Sequence, residues 1–180
     1  MKNVAAVDFA GQSYLFFVDG SQISFYAGPA GSENSSELSY DRFSFNMDNV
    51  KTHPSFYKIA AVSWKTANGA EVSSCLRIHR NIPKLIAYCQ LRLYYANGDG
   101  DLLEITRSSG PDGLSGWNWG KLQNEDYGVD PDKSGLSAIV NDSMTKLYFT
   151  PPKAKTVWVA FSNTGKANWN LKAMVKLSKV

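Results

Sequence analysis

The sequence predicts an all-β chain of propeller type, with three to four four-stranded antiparallel blades in a single unit. Three observations lead there. Short runs of alternating apolar and polar residues are separated by Gly, Asn, Asp and Ser, the period-two signature of half-buried strands. No helical periodicity is sustained anywhere in the chain. A unit of small-apolar strand, aromatic strand, third strand and aromatic closing stretch recurs at about 4–50, 58–124 and 136–180. Repeated short antiparallel strands of this kind describe propeller blades, with the small residues nearest the axis.

In the first unit, Val4 to Phe9, Tyr14 to Val18 and Gln22 to Tyr26 read as strands. Asp19-Gly20 supplies the turn between the last two. Tyr40 to Phe45 closes the unit. The second opens on Ile59-Ala60-Ala61-Val62-Ser63-Trp64 and pairs Leu91 to Tyr95 with Leu102 to Thr106 across Asn97-Gly98-Asp99-Gly100. It closes on Gly116-Trp117-Asn118-Trp119-Gly120, whose two indoles are expected on opposite faces, one core and one rim. Residues 70–90 read as an insertion, and Ile82 to Tyr88 fits a short helix or a strand equally. The third unit opens on Leu136 to Val140, turns at Pro151-Pro152-Lys153 between Lys146–Phe149 and Thr156–Phe161, and ends near Trp169. Tyr94 and Tyr95 split between faces, which predicts one buried ring; Trp64, Trp158 and Trp169 read as packing residues. Three or four blades leave sheet faces and edges open, and association of two chains, sharing one ring or packed as partial rings, is the simple remedy.

Composition narrows the function classes. With 180 residues, 43% hydrophobic and 13% aromatic, the chain suits one core-bearing domain rather than a disordered segment. No apolar run approaches the ~20 residues of a membrane helix, so no membrane insertion is expected. A net charge of +3 with scattered lysines predicts no nucleic-acid partner. Lys166, Lys172, Lys176 and Lys179 read as solvated strand faces or edge guards. Asp8 breaks the N-terminal apolar stretch, which points to no secretory leader and a cytoplasmic setting. Cys75 and Cys89 read as reduced thiols, and His53 and His79 lack partners at metal-ligand spacing; neither cofactor nor metal is predicted. The acidic stretch Glu125 to Asp132 lacks calcium-loop spacing and reads as a solvated loop. Nucleophile-elbow, phosphate-loop and zinc-protease patterns are absent.

Leu91-Arg92-Leu93-Tyr94-Tyr95, Asn97-Gly98-Asp99-Gly100, Leu103-Glu104-Ile105 and Gly116 to Gly120 together resemble one blade of the fungal fucose-specific lectins, as does Ala60 to Trp64. The resemblance is good over one blade and faint over the other two. It implies a six-bladed propeller, built from one chain or several, that binds fucosylated glycans in clefts between blades. It also implies that Arg92 and Glu104 grip the sugar while an aromatic ring stacks on it, Tyr40 or Trp117 by position. An arginine fork and a carboxylate suit sugar oxygens and hydroxyls respectively. The same two residues also fit a plain cross-strand ion pair. The other units depart from the pattern: Tyr14 and about Ser24 stand in the first, Lys146 and about Trp158 in the third. At most one such sugar site per chain is therefore expected, and avidity then needs oligomers.

The reading is a non-enzymatic lectin. The alternative is a cofactor-independent, cyclase-type biosynthetic enzyme on a degenerate lectin scaffold, holding a small hydrophobic molecule. Arg92, Glu104, Asp126 and Tyr127 are its polar candidates.

Overall fold

A computed structural model describes residues 3–30, 40–67, 70–72, 87–110, 113–141, 144–163 and 168–174. Among them the chain is all-β, with one 3-10 turn at Leu122–Asn124 and no helix long and apolar enough to cross a membrane.

Three antiparallel sheets form in chain order. The first runs β1 (Val4–Phe9), β2 (Gln12–Asp19), β3 (Gln22–Pro29), β4 (Asp41–Ser44), each strand bonded to the next. The middle sheet has a four-strand path of β5 (Ile59–Ala67), β7 (Ala87–Ala96), β8 (Leu102–Gly110) and β10 (Asn118–Trp119). Two short strands flank it, β6 (Ala70–Val72) on β5 and β9 (Gly113–Leu114) on β8. The third sheet runs β11 (Ser137–Asn141), β12 (Met144–Phe149), β13 (Trp158–Asn163), β14 (Asn170–Ala173).

Local chemistry explains the turns. Ala10 and Gly11 both take positive φ, 52° and 78°, between Phe9 and Gln12, which pair across a two-residue loop. Gly20, at φ 64°, turns β2 into β3. In the middle sheet the Asn97 side-chain oxygen accepts from the backbone N–H of Asp99 and Asp101, at 3.0 and 2.9 Å, closing an Asx turn. Of the expected insertion at 70–90, Ala70–Val72 lies on β6 and Ala87–Gln90 opens β7, so the end of the Ile82–Tyr88 stretch is strand. Residues 73–86, with Cys75 and His79, lie outside the described residues, as do Lys166, Lys176 and Lys179.

The middle sheet is covered on both faces. Odd-numbered residues of its strands, Ile59, Leu91, Leu93, Tyr95 and Ile105, join Phe9, Tyr14, Phe16 and Phe25 of the first sheet in one core. Even-numbered residues, Val62, Trp64, Tyr94, Ala96 and Leu102, join Leu147, Phe149 and Ala160 of the third in a second core. Tyr94 and Tyr95 do point to opposite faces, but both are fully buried. The expectation of one buried ring is corrected here, because neither face of this sheet meets solvent at that point. Trp119 is an exposed rim residue, 43% accessible, and Trp117 packs on the first core; strand alternation would put both on one face, and they part because Trp117 precedes β10. Trp64 and Trp169 are buried and Trp158 is half-buried.

The opening strands of the sheets lie side by side: β1 packs on β5, and β5 on β11. Ser63 on β5 donates to the Asp8 carbonyl at 2.5 Å across the first of these junctions. No comparable contact joins β11 to β1 among the described residues. Val4 on one end and Ile139 on the other stay 55% and 43% exposed.

Candidate functional site

The junction between the middle and third sheets holds the most buried ion pair among the described residues. Arg92 on β7 stands opposite Thr106, and Tyr94 opposite Glu104 on β8. Arg92 and Glu104 are therefore diagonal neighbours on one face, within reach of long side chains. Arg92 Nη1 donates to Glu104 Oε1 at 2.6 Å, and the Tyr94 hydroxyl donates to the same oxygen at 3.3 Å. The other carboxylate oxygen accepts from the backbone N–H of Lys121 at 2.8 Å and Leu122 at 3.3 Å. Glu104 is 1% exposed and Arg92 11%. Gly120 makes this possible: a Cβ there would run into the carboxylate. Its N–H donates to the Glu104 carbonyl at 2.8 Å, pinning the loop to β8.

Burial pulls Arg92 toward deprotonation, but the facing Glu104 carboxylate and Tyr94 outweigh it and hold the guanidinium charged. Burial, reinforced by Glu104, pushes the Tyr94 phenol well above its ordinary range. Trp64 lies under the Arg92 guanidinium at 5.0 Å, and Trp169 meets Tyr94 edge-on at 5.9 Å. Three donors in this cluster are buried without an acceptor among the described residues: Arg92 Nε, Trp64 Nε1 and Trp169 Nε1.

Of the residues singled out in the sequence, the structure brings together Arg92 and Glu104 but not Tyr40 or Trp117. Trp117 stands on the opposite side of the middle sheet, against Phe25 and Phe45 at 5.3 and 4.9 Å. Tyr40 lines a separate cleft of about 560 Å³ on the first sheet, with Ala6, Ser13, Leu15 and Tyr26. The aromatic residues at the pair are Trp64, Tyr94 and Trp169. Register parity is the signal that finds Trp64: Val62 opposes Arg92, so the side chain two residues on shares the face of Arg92.

The pairing also gives the equivalent positions in the other sheets. Val7 opposes Tyr14 in the first, as Val62 opposes Arg92, and Ile139 opposes Lys146 in the third. One diagonal step places Phe25 and Val159 where Glu104 stands, each one residue from the Ser24 and Trp158 expected. Neither sheet carries an arginine–carboxylate pair at these positions.

The remaining candidates lie apart from the Arg92–Glu104 pair. Asp130 accepts from the backbone N–H of Asp132 and Lys133, at 3.1 and 3.2 Å, and so closes its own turn. Tyr127 stacks on Phe149, with centroids 6.4 Å apart, and its carbonyl accepts from the Leu102 N–H at 2.7 Å. Asp126 is exposed in the left-handed region at φ 50°. His53 Nδ1 accepts from the Ser55 N–H at 3.1 Å, and Cys89 is buried on β7. No group of three metal-ligating side chains occurs among the described residues.

No protein-family model, curated protein or solved structure matches the chain.

Proposed function

We propose that the chain is a carbohydrate-binding protein of propeller architecture that takes a fucose-type sugar at Arg92, at the junction of the middle and third sheets. One observation carries the reading: the three acceptor-starved donors Arg92 Nε, Trp64 Nε1 and Trp169 Nε1 sit in one contact cluster. An unsatisfied buried donor costs about 1–3 kcal/mol. Sugar hydroxyl and ring oxygens supply acceptors, and indole faces suit the apolar side and methyl group of such a sugar. Glu104 is a positioning residue in this reading. Both its oxygens are engaged, so it aims Arg92 rather than gripping the ligand.

The same proposal reads the three sheets as blades of one ring completed by a second copy of the chain. Support comes from parity. The Tyr14 position faces the middle sheet, the Arg92 position faces the third, and the Lys146 position faces outward from the third. Each unit thus presents the same face to its successor. The last face, with Ile139 and Lys146, has its complement in the free face of the first sheet, with Val4 and Asp8. A two-fold axis makes both junctions at once and leaves no sheet face open.

Calorimetric titration with methyl fucoside, with the molar mass measured on the same sample, tests both parts. The expected result is a dimer that binds the sugar. Arg92→Lys keeps the charge facing Glu104 but loses the fork, and binding should weaken at least about tenfold. Absence of heat at high sugar concentration overturns the sugar reading, and a monomeric mass overturns the ring.

A further inference from the structure

The cleft between the first and middle sheets has a chemistry of its own. Its volume is about 710 Å³. Phe25 and Trp117 form an aromatic wall with rings 5.3 Å apart. Phe43 extends that wall, stacked on Phe25 at 5.4 Å and still 44% exposed, and Leu114 borders it at 41% exposed. Gln12, Asp41, Ser44 and Asn46 also line the cleft, and Arg107 is its one cation among the described residues. Arg107 projects from β8, its guanidinium 5.0 Å from the Trp117 ring centroid. Its Nε donates to the Ser115 carbonyl at 3.0 Å, and its Nη1 donates to the Tyr14 hydroxyl at 3.1 Å. That hydroxyl donates onward to Gln12 Oε1 at 2.8 Å, so the guanidinium is held from behind in a fixed pose.

These contacts use Nε and Nη1, which lie on different edges of the guanidinium. No group among the described residues takes Nη2, and no carboxylate among them pairs with Arg107. A pre-aimed guanidinium whose Nη2 is free can donate to a carboxylate. The exposed aromatic and aliphatic wall beside it favours a flat apolar body over a polyol. The Arg92–Glu104 pair has no counterpart here, since Tyr14 and Phe25 stand at the equivalent positions. We propose that this cleft binds small carboxylates carrying an aromatic ring, the carboxylate on Arg107 and the ring against Trp117, Phe43 and Leu114. The site is separate from the sugar reading and stands or falls without it.

Calorimetric titration of the whole protein with phenylacetate and indole-3-acetate, followed in parallel by tryptophan fluorescence, tests this. Micromolar to millimolar binding is expected. Phenethyl alcohol, which keeps the ring and lacks the charge, should bind at least about tenfold more weakly. Arg107→Gln should weaken phenylacetate by a similar factor. Leu114→Asp provides a second variant at an exposed rim position that packing does not depend on. It removes apolar wall and adds a repelling charge, so binding should again fall at least about tenfold. Arg92→Lys should leave phenylacetate binding unchanged. Equal affinity for the acid and the alcohol overturns the role of Arg107. No binding of either acid up to about 10 mM overturns the site. Tighter binding of glucuronate than of phenylacetate overturns the aromatic class.

Discussion

Arg92 and Glu104 sit diagonally across β7 and β8, 2.6 Å apart, and the carboxylate also takes the two backbone N–H groups of Lys121 and Leu122. One buried carboxylate therefore ties two strands to the loop that follows β10. Breaking such a pair from one side strands a buried charge and costs about 3–5 kcal/mol. Glu104→Gln should lower the unfolding free energy by about that amount, read from urea denaturation. A loss below about 1 kcal/mol, the range of exposed pairs, would mean that water reaches the pair.

Gly120 lies where any side chain would strike the Glu104 carboxylate. Gly120→Ala should destabilise the fold by about 1–3 kcal/mol through displacement of that carboxylate. Gly116→Ala is the control, since open space surrounds that position, and its midpoint should move little.

The β1–β2 hairpin carries a strained residue. Ala10 takes φ 52°, a conformation that costs a residue with a Cβ about 1–2 kcal/mol. Asn tolerates it, and Asn-Gly is the favoured pair for this turn. Ala10→Asn should raise the thermal midpoint, with a gain of about 0.5–1 kcal/mol. An unchanged or lower midpoint would remove strain at Ala10 as a liability.

Tyr95 is fully buried, and its hydroxyl has no partner among the described residues. Removing an unsatisfied buried hydroxyl relieves a desolvation cost. Tyr95→Phe should therefore leave stability unchanged or raise it by up to about 1 kcal/mol. A loss of more than about 1 kcal/mol would mean the hydroxyl has a partner, such as an ordered water.

Burial raises the phenol pKa of Tyr95, and burial with Glu104 raises that of Tyr94. Each phenol thus holds its proton more tightly in the folded chain than in the unfolded one. Their contribution to stability is complete below the unfolded value of about 10 and is lost as pH rises through the folded values. Unfolding free energy should be insensitive to these groups from about pH 7 to 9. Above about pH 10 it should fall by about 1.4 kcal/mol per pH unit for each phenol kept neutral. Urea midpoints across that range check the slope, and Tyr95→Phe should make it shallower.

The strands were legible because their cause is local. Alternation marks β1 through β3, β7 and β8, and Asp19-Gly20 and Asn97 to Gly100 end strands by the conformations they adopt. The repeated small-apolar openings mark the strands that pack on one another. Arg92 and Glu104 were legible as a pair because cross-strand pairing follows from a hairpin. The site's aromatic residues were not. A sequence gives the parity of a residue but not which sheet covers each face. Only the packing of the middle sheet between two others sends Arg92 and Trp64 toward the third sheet and Trp117 toward the first. The burial of both Tyr94 and Tyr95, and the fixed pose of Arg107 on Tyr14, a residue far away in the chain, have the same origin. The chain thus determined by itself its strands, its turns and one charged pair. What surrounds that pair, and which cation keeps a free donor, was decided by contacts between sheets, because burial and desolvation depend on neighbours that no local pattern names.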